Sequence, residues 1–330
     1  MKLGYRLAEL VCCCFLMLLT GCGPGPLNVT QGIALTPPPY LPFPTFYSVQ
    51  ALSQSDVWAV GGQFNMRGSP VAGTVLHYNG QQWSSTAVST PLFGVSMLSA
   101  TDGWAVGYSG FILHYNGQTW NTFNSPTSAV LRSVAMTSAN DGWAVGYGGI
   151  LLHYNGHVWA VQTSPTTKNL YSISMASAQE GWAVGSTGTL LHYVKGAWRK
   201  VAAPSANTLY GVFMLSPQDV WAVGQNGTVI RYNGTSWNML NSPFKSDLYS
   251  VFLSSSDEGW IGTEGSIMHY TQGELVWLNP QKYLAPGATE SVFMLSAQEG
   301  WSVGMNNIVS EYQNGVWKIV YGTPPNVANP

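Results

Sequence analysis

One phrase recurs along this chain and limits what it can fold into. Asp141-Gly142-Trp143-Ala144-Val145-Gly146 has counterparts whose tryptophans are Trp58, Trp104, Trp143, Trp182, Trp221, Trp260 and Trp301, spaced by 46, 39, 39, 39, 39 and 41 residues. A second tryptophan follows each: Trp83, Trp120, Trp159, Trp198, Trp237, Trp277 and Trp317, so the two rows use all 14 in the chain. An acid stands two residues before every first tryptophan: Asp56, Asp102, Asp141, Glu180, Asp219, Glu258 and Glu299. A tyrosine precedes most second tryptophans by five residues, at Tyr78, Tyr115, Tyr154, Tyr193, Tyr232 and Tyr312, while Tyr270 precedes by seven. Self-similarity at a period near 40 residues marks a supersecondary unit repeated side by side.

Each unit holds four strand-sized pieces. In the third these are Leu131–Met136, Trp143–Val145, Ile150–Tyr154 and Val158–Val161. Ser/Asn/Asp and Gly clusters separate them, and Asn155-Gly156 predicts a hairpin whose two central residues both take positive φ. No stretch has helical periodicity with caps. Four antiparallel strands repeated seven times predict an all-β fold, a seven-bladed β-propeller of four-stranded antiparallel blades over residues 46–322. A blade between two neighbours is buried on both faces, which suits apolar runs such as Phe111-Ile112-Leu113. It also suits a charged fraction of only 8%, against about 25% for an ordinary soluble domain. The tryptophan rings are expected to fill the wedges between blades. No strand is visibly exchanged between the two ends, and the 27–45 segment is the candidate for closing the ring.

The phrase Asp102-Gly103-Trp104-Ala105-Val106-Gly107, then Gly110-Phe111-Ile112-Leu113-His114 and Asn116-Gly117-Gln118-Thr119-Trp120, resembles the repeat of photosystem II stability/assembly factors. Those belong with the BNR/Asp-box propellers of the sialidase class. The Trp-Asp dipeptide of WD40 repeats does not occur, and the Gly-Gly doublet of kelch repeats occurs only at Gly61-Gly62 and Gly148-Gly149. The resemblance spans residue 46 to about 320 and departs at Tyr115, where the Asp-box has its aspartate. It implies a propeller whose ligands bind on the face where the innermost strands begin, with the box itself structural.

The N-terminus reads as an address. Lys2 and Arg6 precede an apolar run, Leu10–Leu19, about half the roughly 20 residues of a spanning helix. Leu19-Thr20-Gly21-Cys22 follows and resembles the lipobox of bacterial lipoproteins. That resemblance implies a signal peptide over 1–21, lipidation of Cys22 and anchorage at the extracytoplasmic face of a bacterial membrane. Cys12, Cys13 and Cys14 would leave with the signal, so the mature chain has no disulfide and no cysteine metal site. Residues 22–45 are proline-rich and read as a semi-rigid tether; 323–330 are a short tail.

Low charge argues against a nucleic-acid binder, which needs a dense Lys/Arg face. The acid row is expected to cap backbone N–H groups in its turns. The row His77, His114, His153, His192 and His269, with Arg231 and Glu311 at the same place, invites a metal, but equivalent positions of separate blades cannot converge on one ion. No metal and no cofactor is expected. The stronger candidates lie where each innermost strand begins and the repeat varies: Tyr47, Phe93, Arg132, Tyr171, Tyr210, Tyr249 and Glu290. On the same face blade 1 carries its one large insertion, Gln63 to Val71, with Phe64 and Arg67. A ring of aromatics with one Arg and one Glu forms a mouth that suits a protein partner, a glycan being the alternative. A glycosidase needs two carboxylates about 5 to 9.5 Å apart. Glu290 is the one acid of that ring, so the chain is expected to be a monomeric, non-catalytic binding scaffold.

Overall fold

The computed structural model describes residues 44–278 and 288–322. The signal, Cys22, the tether up to residue 43 and the tail lie outside the described residues. Twenty-eight strands form seven four-stranded antiparallel sheets, each made of consecutive strands. Blade 1 comprises β1 (Thr45–Ser53), β2 (Asp56–Phe64), β3 (Pro70–Tyr78) and β4 (Trp83–Val88). Blade 3 comprises β9 (Leu131–Ser138), β10 (Asp141–Gly146), β11 (Leu151–Tyr154) and β12 (Trp159–Val161). The innermost strands of the other blades are β5 (Leu92–Ser99), β13 (Leu170–Ser177), β17 (Leu209–Ser216), β21 (Leu248–Ser255) and β25 (Thr289–Ser296). These seven strands touch in cyclic order, β25 meeting β1, and enclose the axis. The fold is a seven-bladed β-propeller, as the repeat predicts.

The second strand of each blade is covered on both faces. Trp143, Ala144 and Val145 are all buried, and so are their counterparts, hence a continuous apolar run where a half-exposed strand would alternate. The glycine closing the phrase has a steric cause. A Cβ on Gly146 would lie 2.0 Å from the Val130 carbonyl oxygen.

The tryptophans pack across the blade junctions as expected, and the pairing has a direction. Trp104 of blade 2 meets Tyr154 and Trp159 of blade 3, with ring centroids 4.7 and 5.5 Å away. Trp143 meets Tyr193 and Trp198 of blade 4 at 4.8 and 5.3 Å. The ring closes by the same contact: Trp301 of blade 7 lies 6.0 Å from Tyr78 and 5.8 Å from Trp83 of blade 1. The Val49 N–H also donates to Ser291 Oγ at 3.3 Å, and the Asn307 N–H to the Pro44 carbonyl at 2.9 Å. Of the 27–45 segment, Pro44 and Thr45 are described. Blade 6 shifts its second tryptophan: Tyr270 pairs with Leu275, and Trp277 packs on Phe244 at 4.8 Å.

Two local expectations are corrected. The acid row does not cap the turns; serines do, as where Ser99 Oγ accepts the Thr101 N–H and Ser138 Oγ the Asn140 N–H. The acids turn to the next strand, because register places six of the seven beside a hydrogen-bond donor of the histidine row. His77, His114, His153, His192 and His269 donate Nε2–H to Asp56, Asp102, Asp141, Glu180 and Glu258 at 3.0, 2.9, 2.7, 3.4 and 2.5 Å. Arg231 grips both carboxylate oxygens of Asp219 at 2.8 Å. Four of the five rings also stack on their own tryptophan, as His77 does on Trp58 at 3.7 Å, and His153 lies tilted on Trp143 at 34°. In blade 7 the pair is Glu299 and Glu311. Burial, and then Glu299, push the Glu311 carboxyl up, against a hydrogen bond from Gln313 and the charge of Lys318.

The Asn155-Gly156 turn is the second correction. Gly156 has φ of 90°, but Asn155 is not among the positive-φ residues. Its Oδ1 instead accepts the His157 and Val158 N–H groups at 3.1 and 3.0 Å. The side chain satisfies the loop in place of a two-residue turn. The two-residue form occurs at Lys195-Gly196, where both residues have positive φ, 54° and 78°, and Val194 pairs with Ala197.

Candidate functional site at the channel mouth

Where each innermost strand begins, its ladder to the second strand skips one residue. In β13, Leu170 pairs with Gly185 and Ser172 with Val184, so Tyr171 has no partner. The same shift leaves out Tyr47, Phe93, Arg132, Tyr210, Tyr249 and Glu290. Each residue singled out by its variability is therefore the extra residue of a β-bulge. A bulge re-aims the side chain it carries, and seven bulges at one level aim seven side chains into one mouth.

Their contacts run around the axis. Tyr47 lies 5.1 Å from Phe93, Tyr171 lies 5.5 Å from Tyr210, and Tyr210 lies 5.7 Å from Tyr249, measured between ring centroids. Arg132 bridges the two arcs. Its guanidinium carbon is 4.4 Å from the Phe93 centroid, 5.9 Å from Tyr171 and 6.0 Å from Tyr47. The buried Nε–H of Arg132 has no acceptor among the described residues.

Electrostatics favour neutral neighbours around that one cation. Burial pushes the Glu290 carboxyl up to about 7, with Arg132 pulling it down. Burial, then Glu290, push the Tyr47 phenol up to about 12, again against Arg132. Burial and then Glu290 raise Tyr249 as well, with smaller contributions from Glu264 and Asp247. The phenols thus remain protonated through the physiological range.

The blade 1 insertion overhangs this ring. β2 and β3 run past their counterparts, and Phe64 stacks over Phe93 with centroids 6.2 Å apart and planes 17° apart. Phe64 also meets Tyr108 edge-on at 6.1 Å. Arg67 does not join the ring. It stands exposed at the hairpin tip beside Met66, where Asn65 Oδ1 accepts its N–H at 3.0 Å.

Four residues that sequence patterning passed over belong to the rim. Tyr108 and Tyr147 open the 3-10 turns after the second strands of blades 2 and 3, and Tyr147 packs edge-on against Tyr171 at 6.1 Å. Their signal was a tyrosine directly after the repeated Trp-Ala-Val-Gly. Asp247 and Glu264 lie near enough to Tyr249 to raise its phenol.

No protein-family model matches the chain, and no curated protein matches it by sequence. Solved structures do match. YCF48 bound to a D1 peptide is similar with a TM-score of 0.66 and 18% identity, over 85% of this chain and 98% of that one. YCF48 from Cyanidioschyzon merolae gives 0.65 and 17%, over 83% and 97%. The WD40 propeller domain of Doa1 gives 0.64 and 12%, over 82% and 93%. At these identities the likeness is one of fold, and it places the chain among seven-bladed propellers of the kind that YCF48 adopts.

Proposed function

We propose that this chain is a non-catalytic propeller that docks a protein partner at its channel mouth while Cys22 holds it at the extracytoplasmic face of a membrane. The observation that carries the docking role is the ring of bulges. Seven strands give up a ladder position to aim mostly aromatic side chains at one place. Aromatic rings supply large contact area with few rotatable bonds, which suits them to anchor a partner. The match to YCF48 bound to a D1 peptide supports a polypeptide as the guest, as does the sequence resemblance to assembly factors. A scaffolding role is favoured over glycoside hydrolysis by that same match, which carries a peptide.

Crosslinking from membranes tests this. Wild-type protein is expected to capture a discrete protein partner, and the Tyr171→Ala, Tyr210→Ala, Tyr249→Ala triple variant to lose at least 90% of it. Undiminished capture by the triple variant, or binding on a glycan array in place of a protein, would overturn the docking role. In the same cells Cys22→Ser is expected to move the protein to the soluble fraction; continued sedimentation with membranes removes the anchor from the proposal.

A further inference from the structure

We propose that the mouth is a carboxylate site: Arg132 receives a carboxylate of the docked polypeptide, and Glu290 sets how tightly it is held. This rests on the docking role of the mouth and names the chemistry that role requires.

Arg132 is the one cation in the ring of seven, and three aromatic faces lie around it at 4.4 to 6.0 Å. Those faces attract the charge of a guanidinium but do not replace in-plane acceptors for its five N–H donors. Nε–H is buried and has no acceptor among the described residues. Leaving a buried donor unmet is costly. A planar carboxylate meets Nε–H and a neighbouring N–H together, the bidentate geometry that arginine is shaped for. A phosphate would bring nearly two negative charges toward a rim that already holds Glu290, Asp247 and Glu264. A carboxylate brings one.

Glu290, on β25 in the same ring of bulges, lies within electrostatic reach of Arg132 on β9, Tyr47 on β1 and Tyr249 on β21, and Tyr249 within reach of Glu264 and Asp247 and in ring contact with Tyr210. Once ionised, Glu290 neutralises Arg132 and repels an arriving carboxylate. Protonated, it leaves Arg132 unopposed. Burial holds this group protonated up to about pH 7, so binding strengthens as pH falls from 8 to 6, before a ligand carboxylate itself gains a proton near pH 4.

The test uses full-length protein and pooled synthetic nonapeptides in four forms: with free or amidated C-termini, and with Asp and Glu present or replaced by Asn and Gln. Wild-type protein is expected to retain the carboxylate-free pool at least tenfold less than the fully carboxylated one. Whichever single change causes the loss identifies a C-terminal or a side-chain carboxylate as the source. Arg132→Gln is expected to lose the same preference, and Arg132→Lys, which keeps charge and stem but not the fork, to lose most of it. Glu290→Gln is expected to bind about tenfold more tightly than wild type at pH 8, and so to flatten the rise of about tenfold that wild type shows between pH 8 and pH 6. Equal retention of all four pools, or an unchanged preference in both Arg132 variants, overturns the carboxylate site. If all pools bind equally and the triple tyrosine variant loses them, the docking role stands and only its chemistry falls. If wild-type protein retains none, or the triple variant retains all, both fall.

Discussion

Glu290 shows how much one residue of a repeat can differ from its six equivalents. Tyrosine, phenylalanine or arginine fills that position elsewhere, and only here does the bulge bury a carboxyl beside aromatic rings. Because its folded-state value is raised to about 7 from an ordinary 4.5, folding favours the protonated form. Its contribution is fully present below pH 4.5 and is lost as pH rises through 7, by at most about 3 kcal/mol. Urea unfolding should therefore show the wild type losing more stability between pH 5 and pH 8 than Glu290→Gln does. Parallel pH profiles for the two proteins would refute the burial of this charge. The residue was legible beforehand as a break in the repeat. Its protonation was not, because that depends on the rings that surround it and not on its neighbours in the chain.

At the scale of the strand, the bulge and the glycine that ends the second strand are two parts of one device. The ladder skips Arg132 and pairs Leu131 with Gly146, so the backbones come close enough that only glycine fits. Gly146→Ala should cost about 2–4 kcal/mol, since the new methyl meets a carbonyl oxygen and not a mobile side chain. Gly148→Ala, with φ of 69° but nothing within 4 Å, should cost only about 1–2 kcal/mol. Denaturant midpoints that ranked the two the other way would mean the close approach is relaxed in solution. Strand number and order could be read from the periodic phrase because apolar runs and turn residues are local signals. The two misread details have different causes. Acid–histidine pairing depends on which residues face each other across the ladder, and the two look like separate rows until register brings them together; the Asn155 turn is set locally, by a side chain that takes the N–H groups two and three residues on.

For the whole molecule, the seventh junction is built like those of blades 2 with 3 and 3 with 4. Trp301 meets Tyr78 and Trp83 as Trp143 meets Tyr193 and Trp198, so closure has no dedicated strand. Trp301→Ala and Trp143→Ala should each cost about 3–5 kcal/mol and agree within about 1 kcal/mol in equilibrium unfolding. A much larger loss for Trp301→Ala would show that closure bears a special share of the stability. The ring could be inferred from seven in-phase units, whereas the manner of closing could not, since it joins residues more than two hundred positions apart.

That closure leaves the two ends of the described residues against one residue, Asn307. The Asn307 N–H binds the Pro44 carbonyl, and a Cβ on Gly322 would lie 2.2 Å from the Asn307 oxygen. Head and tail are thus already neighbours, and no blade borrows a strand from another. Topologically the propeller has no fixed beginning: Pro44 and Gly322 can be joined beside Asn307 and the chain reopened at a turn between blades, and the resulting circular permutants inherit every junction intact.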